Sequence, residues 1–318
     1  MESKLSIIIP TYNREKQLIN QLRRIYSQQE SKFLKIVVLN NNSDYNVEYA
    51  ITSNFECSQL TNLKIISHPY NLGGNMNIGL SFYHCETDWL WLLSDDDEVL
   101  CDSIKRILDD ICTYNEYIAI KYSLEKFTSH DDVEIGNLND LIRYYKKEHK
   151  HQGELIFMSN AVFNINKLRP VMGAVIENAY NSLPGLNPIL FGLDKALGKC
   201  FFSNKQIVRY MLPAPGGAWN YHQTTVRLPA LLDYPFNCDG KTMLKLMSLM
   251  NHWNYPRFIL ACADFHDSIK SIIFYKKIFD YVFQIGWLKK NIYKIVFYLN
   301  YLTNFKFVDF IKNRKAKK

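Results

Sequence analysis

The chain has 318 residues, 47% of them apolar, enough to bury a full core as one large domain or as a domain with an appendage. Its seven cysteines are scattered, odd in number and without a Cys-x-x-Cys pair, which argues against a disulfide framework or a zinc site and fits a reducing cytosol. The net charge of +7 is uneven: residues 268–318 carry 12 Lys+Arg against only Asp280 and Asp309, so a mildly acidic body bears a basic tail suited to phosphate, in lipid headgroups or in nucleic acid.

Two periodicities alternate over the first hundred residues. Lys4–Pro10 is a short continuous apolar run, as in a strand buried on both faces. A loop at Thr11–Arg14 follows, and then Leu18, Leu22 and Ile25 recur at helical spacing. Leu34–Leu39 reads as a second buried strand, ending in the polar loop Asn40–Asp44, and Leu63–Ser67 as a third. Asn71–Asn75 is a Gly-rich turn that opens a helix through Ile78 and Phe82. Trp89–Leu93 is a fourth strand that runs straight into Ser94-Asp95-Asp96-Asp97-Glu98. Strand, loop and helix in repetition predict right-handed crossovers and a mainly parallel sheet, with the polar loops beyond the strand ends, where open α/β sheets bind ligands.

The middle is less regular. Tyr117–Lys126 is a candidate strand, and 129–150 reads as a charged insertion with a short helix near Leu138–Tyr145. Leu155–Phe163 is apolar again. Ala179–Leu197 is a candidate helix that Pro184 and Pro188 would break, Phe201–Met211 a candidate edge strand, and Leu212–Trp219 a turn-rich loop. Helical patterns dominate from Gln223 onward. No leader is legible, because Leu5–Pro10 is too short and is preceded by Glu2, and no strongly apolar stretch is long enough to cross a membrane.

The sharpest feature is Asp95-Asp96-Asp97. Adjacent carboxylates repel, and a divalent cation compensates them. Asp95 and Asp97, two apart at a strand end, can point the same way and share one ion that keeps open positions for a diphosphate. The competing account is a solvated turn in which Asp96 or Asp97 caps a helix beginning near Glu98.

The segments Ile7–Arg14, Val37–Asp44, Asn71–Gly79 and Trp91–Asp97 together resemble the family 2 glycosyltransferases of GT-A fold, in the family's order and spacing over about residues 1–110, with weaker likeness to about 210. The three aspartates and the stretch Ala179–Val208 look like the branch that includes abequosyltransferases and similar O-antigen enzymes. The resemblance implies a GT-A type, Rossmann-like, mainly parallel sheet with flanking helices, followed by a helical, basic C-terminal region. The catalytic domain would span 1–222, with a nucleotide-binding half at about 1–110 and an acceptor half at about 111–222; the helical region would span 223–318. By the same resemblance Pro10, Thr11, Tyr12 and Arg14 line the nucleotide pocket and Asn40, Asn41 and Asn42 meet base and ribose. Gly73 and Gly74 admit the donor, Asn77 sits nearby, Asp96 joins the donor site, and Asp95 and Asp97 bind Mn²⁺ or Mg²⁺.

Three departures from the family pattern stand out. Positions 40–42 are all Asn where the family carries an aspartate, Met76 replaces a frequent arginine, and the acidic base of the second half is not evident. An inverting transfer needs a base to take the acceptor hydroxyl's proton. Glu177 is the first candidate by location and Asp194 the second, although an acid in either place is more often simply a helix-start or surface residue. Trp219 and His222 follow the Gly216-Gly217 loop, a region that closes over the donor in the family; a packed or surface His is the plainer account of His222.

In the tail, Leu288, Ile292, Ile295, Leu299 and Leu302 form one helical stripe with Lys289, Lys290 and Lys294 off it, and Ile272, Tyr275, Phe279 and Val282 form another. A basic, aromatic-rich amphipathic tail fits an anionic membrane surface, although such stripes also pack in globular cores. No nucleic-acid-binding module accompanies the charge. The resemblance implies an inverting, metal-dependent glycosyltransferase, hexosyl- or deoxyhexosyl-transferring, that moves sugar from a nucleotide-sugar donor to a lipid-linked oligosaccharide or other saccharide in O-antigen or capsule synthesis, and the basic tail fits that setting. It would be cytoplasmic, peripheral on the inner face of the cell membrane. A sugar nucleotidyltransferase shares the architecture but needs a Gly-rich loop after the first strand, which Pro10–Arg14 lacks. A non-catalytic, membrane-associated scaffold is the other rival.

Overall fold

The computed structural model describes residues 3–124, 131–147, 152–181, 183–211, 228–250, 287–303 and 306. It divides into two compact units, Met1–Ala218 with Tyr234–Asn237, and Trp219–Asp233 with Cys238–Lys318.

The first unit begins with the alternation read from the sequence. Strands β1 (Leu5–Thr11), β2 (Lys35–Asn40), β3 (Leu63–Ser67) and β4 (Trp89–Leu92) are parallel neighbours in the spatial order β3-β2-β1-β4. Helices α1 (Glu15–Tyr26), α2 (Val47–Thr52) and α3 (Gly74–Tyr83) lie between them in sequence. Every residue of β1 is buried, which is why its apolar run does not alternate. Leu18, Leu22 and Ile25 of α1 pack on Ile7 and Ile9 of β1 and Ile36 and Val38 of β2 in one core. Burying each such side chain stabilises the fold by about 1.5–3 kcal/mol. β3 is only partly buried, as befits a sheet edge.

The chain continues through β5 (Glu98–Val99), α4 (Ser103–Thr113), β6 (Ala119–Tyr122), β7 (Val133–Ile135), α5 (Leu138–Lys147), α6 (Gln152–Ile156), β8 (Ala161–Asn164), α7 (Ile165–Leu168), α8 (Met172–Glu177), α9 (Asn187–Asp194), β9 (Cys200–Ser203) and β10 (Val208–Arg209). The full sheet has eight strands in the order β3-β2-β1-β4-β8-β6-β9-β7; β5 and β10 form a separate antiparallel pair. β8 is antiparallel to both β4 and β6, so the parallel half gives way to a mixed half at β4.

Four local expectations are corrected. No helix starts at Glu98, which enters β5 and pairs with Arg209, so the acidic cluster is not a helix cap; α4 begins only at Ser103. The charged stretch 129–150 is more than an insertion, since Val133–Ile135 pairs with β9 and takes the sheet edge. β9 is therefore interior, not an edge. Pro188 opens α9 at the first helical positions instead of breaking a longer helix, because a missing N–H costs nothing there.

The order of the first four strands positions the site. Crossovers from β1 to β2 to β3 move one way across the sheet, and β4 returns to the other side of β1, so the sheet has a switch point between β1 and β4. Their register ends at Ile8 and Leu92, with a last bond from the Leu93 N–H to the Ile8 carbonyl, so Pro10 and Thr11 of β1 and the loop after Leu93 lie beyond it.

In the second unit the described residues form the helical turn Leu228–Asp233 and the helices Gly240–Met250 and Trp287–Leu302. The stripe predicted at Ile272–Val282 and the loop Leu212–Trp219 lie outside the described residues. On Trp287–Leu302 the predicted apolar stripe is exposed at Ile292, Ile295, Leu299 and Leu302, whereas Phe297, on the opposite face, is buried. Among the described residues no helix is long and apolar enough to cross a membrane.

Candidate active site

The acidic loop follows β4 at the switch point, and its side chains alternate between buried and half-buried. Asp95 and Asp97 are 4% and 3% exposed, while Asp96 is half-buried. Thr11, the last residue of β1, donates its hydroxyl to Asp95 Oδ2 at 2.7 Å. Arg14 Nη1 reaches Asp95 Oδ1 at 3.0 Å and Asp96 Oδ2 at 2.6 Å, so one guanidinium bridges two of the three acids. Ser94 Oγ donates to the other oxygen of Asp96 at 2.5 Å, and Ser159 Oγ donates to Asp97 Oδ2 at 2.6 Å. Gln21 of α1 holds the loop backbone by donating Nε2 to the Ser94 carbonyl at 2.7 Å.

This arrangement leaves more negative charge than it neutralises. Burial pushes the Asp95 carboxyl up to about 6, against the opposing pull of Arg14 and Thr11. It pushes Asp97 up to about 7, against the hydrogen bonds of Ser159 and of the Met211 backbone N–H. A cation relieves such strain, since it favours the charged form that burial disfavours. Among the described residues no group of three or more His, Cys, Asp or Glu side chains could hold a metal alone. Two carboxylates with the remaining positions left for phosphate oxygens and water is the ordinary arrangement for a divalent ion shared with a nucleotide, so the donor set fits Mg²⁺ or Mn²⁺.

The second and third loops are tied together by amides. Asn40 donates Nδ2 to Ser67 Oγ at 3.1 Å and accepts the Ser43 N–H at 2.9 Å. Asn41 donates to Asn71 Oδ1 at 2.8 Å and accepts the Leu72 N–H at 2.9 Å. Asn42, exposed, takes a left-handed φ of 63°, which asparagine tolerates better than most residues. Both donor and acceptor faces of Asn40 and Asn41 are thus used to brace the loops, work that an aspartate could only half do. Gly73 has φ 82°, and an added Cβ at Gly73 or Gly74 would meet nothing within 4 Å, so the glycine pair leaves open space at the start of α3. Asn77, on the first turns of α3, donates to the Leu39 carbonyl at 3.0 Å and faces His68 Nε2 at 3.1 Å, anchoring the helix to β2.

Pro10 and Thr11 are buried at the end of β1, and Tyr12 is exposed beside them. A cavity of about 440 Å³ opens next to the second loop, lined in part by Asn40, Tyr45, Glu48, Ile65 and Ser67. Tyr45 was not legible as a site residue. Burial, followed by the carboxylates of Glu15 and Asp95, raises its phenol to about 12.

The two base candidates lie in different settings. Glu177 is exposed at the end of α8. Asp194, at the end of α9, accepts the Asn237 N–H at 3.0 and 2.9 Å with its two oxygens and has a side chain 1% exposed. Phe191 stacks on Tyr234 at 3.8 Å in the same junction, so Asp194 serves there to fix the segment Tyr234–Asn237. Trp219 and His222 lie outside the described residues. Ser159 was also missed by the sequence reading, since a lone serine in an apolar run gives no signal before its partner is known.

A parallel α/β half that passes into a mixed half, with flanking helices, is a GT-A-like architecture. Residues 6–159 match the family model Glycosyl transferase family 2. No curated protein matches the chain. Among solved structures, Staphylococcus aureus TarS 1–349 in complex with UDP is similar at 13% identity and a TM-score of 0.59, over 95% of this chain and 90% of that one. The same protein in complex with UDP-GlcNAc matches at 15% identity and 0.55, over 83% and 80%. The mannosyltransferase PcManGT from Pyrobaculum calidifontis, in complex with GDP-Man and Mn²⁺, matches at 14% identity and 0.54, over 95% and 88%. At these identities the structural likeness speaks for the fold.

Proposed function

We propose that the protein is an inverting, metal-dependent glycosyltransferase that takes a hexosyl or deoxyhexosyl group from a nucleotide sugar. The observation that carries this is the pair of sealed carboxylates, Asp95 and Asp97, at the β1–β4 switch point of a family 2 domain. Asp95 and Asp97 would hold Mn²⁺ or Mg²⁺, which when bound supplies charge for the leaving nucleoside diphosphate. Thr11 and Arg14 orient Asp95 and favour its ionised form, and the Arg14 guanidinium would take a diphosphate oxygen as a further partner. Gly73 and Gly74, with open space where a Cβ would stand, would let the protein backbone approach the donor, and the braced Asn40–Asn42 loop would meet the nucleotide's base and ribose. No protein nucleophile is required. Glu177 is the better base, because both oxygens of Asp194 are engaged by Asn237.

The acceptor we infer is a lipid-linked oligosaccharide or other saccharide, in the O-antigen and capsule branch that the three aspartates resemble. The exposed apolar stripe Ile292–Ile295–Leu299–Leu302 and the basic tail support work at the inner face of a bacterial membrane. A thermal-shift comparison of UDP, GDP, CDP and dTDP, each with and without Mn²⁺, tests the core of this reading. A ligand that binds only the folded state raises the unfolding midpoint. One nucleotide giving a Mn²⁺-dependent rise is the expected result. Well-folded protein that responds to none of them would favour the scaffold reading.

A further inference from the structure

Strand β6 carries a buried polar network that the transfer chemistry above does not use. Lys121 is 1% exposed, and its ammonium donates to the Phe157 carbonyl at 3.0 Å and to Asn160 Oδ1 at 2.7 Å. Asn160, fully buried, donates Nδ2 to the Tyr122 carbonyl at 2.7 Å and accepts the Tyr122 N–H with its own carbonyl at 2.7 Å. These bonds pin both ends of the turn 157–160 that leads into β8.

Ser159 is the third residue of that turn and is also fully buried. Its carbonyl accepts Trp91 Nε1 at 2.8 Å, and its Oγ accepts the Ser94 N–H at 2.9 Å. A backbone N–H can only donate, so the single hydroxyl hydrogen of Ser159 is left for Asp97 Oδ2, 2.6 Å away. The direction of every bond is therefore fixed, from the Lys121 ammonium at one end to the Asp97 carboxylate at the other. An ammonium so deeply buried costs several kcal/mol unless paired and hydrogen-bonded, and an apolar side chain would pack β6 as well. What the apolar side chain cannot do is hold two acceptors of one turn at fixed positions.

We propose that Ser159 is a positioning residue for Asp97, and that Lys121 and Asn160 act through it by fixing the turn that presents its hydroxyl. The proposal rests on the reading of Asp97 as an acid of the metal and donor site. Groups that orient such an acid cost about 10- to 100-fold in metal affinity when removed.

The test measures Mn²⁺ binding by electron paramagnetic resonance on the full chain, with the nucleotide chosen by the thermal-shift comparison, alongside the unfolding midpoint and the Mn²⁺ dependence of turnover. Ser159→Ala should bind Mn²⁺ about 10- to 100-fold more weakly and need correspondingly more Mn²⁺ for half-maximal turnover. Lys121→Met should weaken Mn²⁺ binding in the same direction, and the double variant should bind no more weakly than Ser159→Ala alone, because both changes act through one hydroxyl. Ser159→Ala with wild-type Mn²⁺ affinity would overturn the proposal even if Lys121→Met fails to fold. Fully additive losses in the double variant would overturn the part assigned to Lys121. Wild-type protein that binds neither Mn²⁺ nor nucleotide would instead remove the functional reading beneath it.

Discussion

Burial holds the Asp95 and Asp97 carboxyls at about 6 and about 7, well above the ordinary aspartate value near 3.8. An acid raised in the folded state is protonated in both states below about pH 4 and contributes nothing there. Between about 4 and 7 the unfolded chain ionises first, so stability falls as pH rises, and above about 7 the full penalty applies. The metal-free protein should thus lose stability across that window. Asp97→Asn keeps an acceptor for Ser159 and removes the charge. It should raise the metal-free unfolding midpoint at pH 8, by on the order of 1–3 kcal/mol in stability, and leave it unchanged near pH 4. The same variant should lose the Mn²⁺-dependent nucleotide shift. A metal-free Asp97→Asn protein less stable than wild type at pH 8 would mean that the hydrogen bonds to the carboxylate outweigh its burial.

At the scale of elements, the sequence was most readable where strands are buried on both faces. β1, β2 and β4 show as unbroken apolar runs because they are buried on both faces of the sheet. The antiparallel half was harder. β7 is three residues long inside a charged stretch, so nothing marked it as the edge that makes β9 interior. The acid cluster was legible because its charges are contiguous, whereas Ser159 and Tyr45 acquire meaning only from partners far along the chain. Packing also bears on the base. An added Cβ at Gly79 of α3 would lie 2.5 Å from Ala179 Cβ, so the glycine lets the segment after α8 press against α3. Glu177, just before that contact, rides beside the helix that starts at the Gly73–Gly74 opening. Glu177→Gln should lower turnover about 10²- to 10⁴-fold while the nucleotide-induced midpoint shift stays at its wild-type value. Turnover within twofold of wild type would remove Glu177 from the mechanism and point to another acid as the base.

For the molecule as a whole, charge and apolar surface converge on the C-terminal region. Residues 268–318 carry 12 basic against two acidic residues, and the described helix there exposes Ile295 by 60% and Leu302 by 75%. Each basic residue near an anionic surface contributes about 1 kcal/mol, and the contribution fades within a Debye length as salt rises. Apolar burial in the interface adds a part that salt does not screen. The two contributions can be separated. The full-length protein should co-sediment with phosphatidylglycerol-containing vesicles at low salt, bind pure phosphatidylcholine vesicles poorly, and retain part of its binding at high salt. Ile295→Glu with Leu299→Glu, both at exposed positions, should leave the unfolding midpoint in place and abolish the salt-resistant part. Binding that is unchanged by this double substitution and lost entirely in salt would make the tail a purely electrostatic contact, with the apolar stripe covered by something other than lipid. Binding to neither vesicle would leave the acceptor to be sought among saccharides that are not membrane-bound.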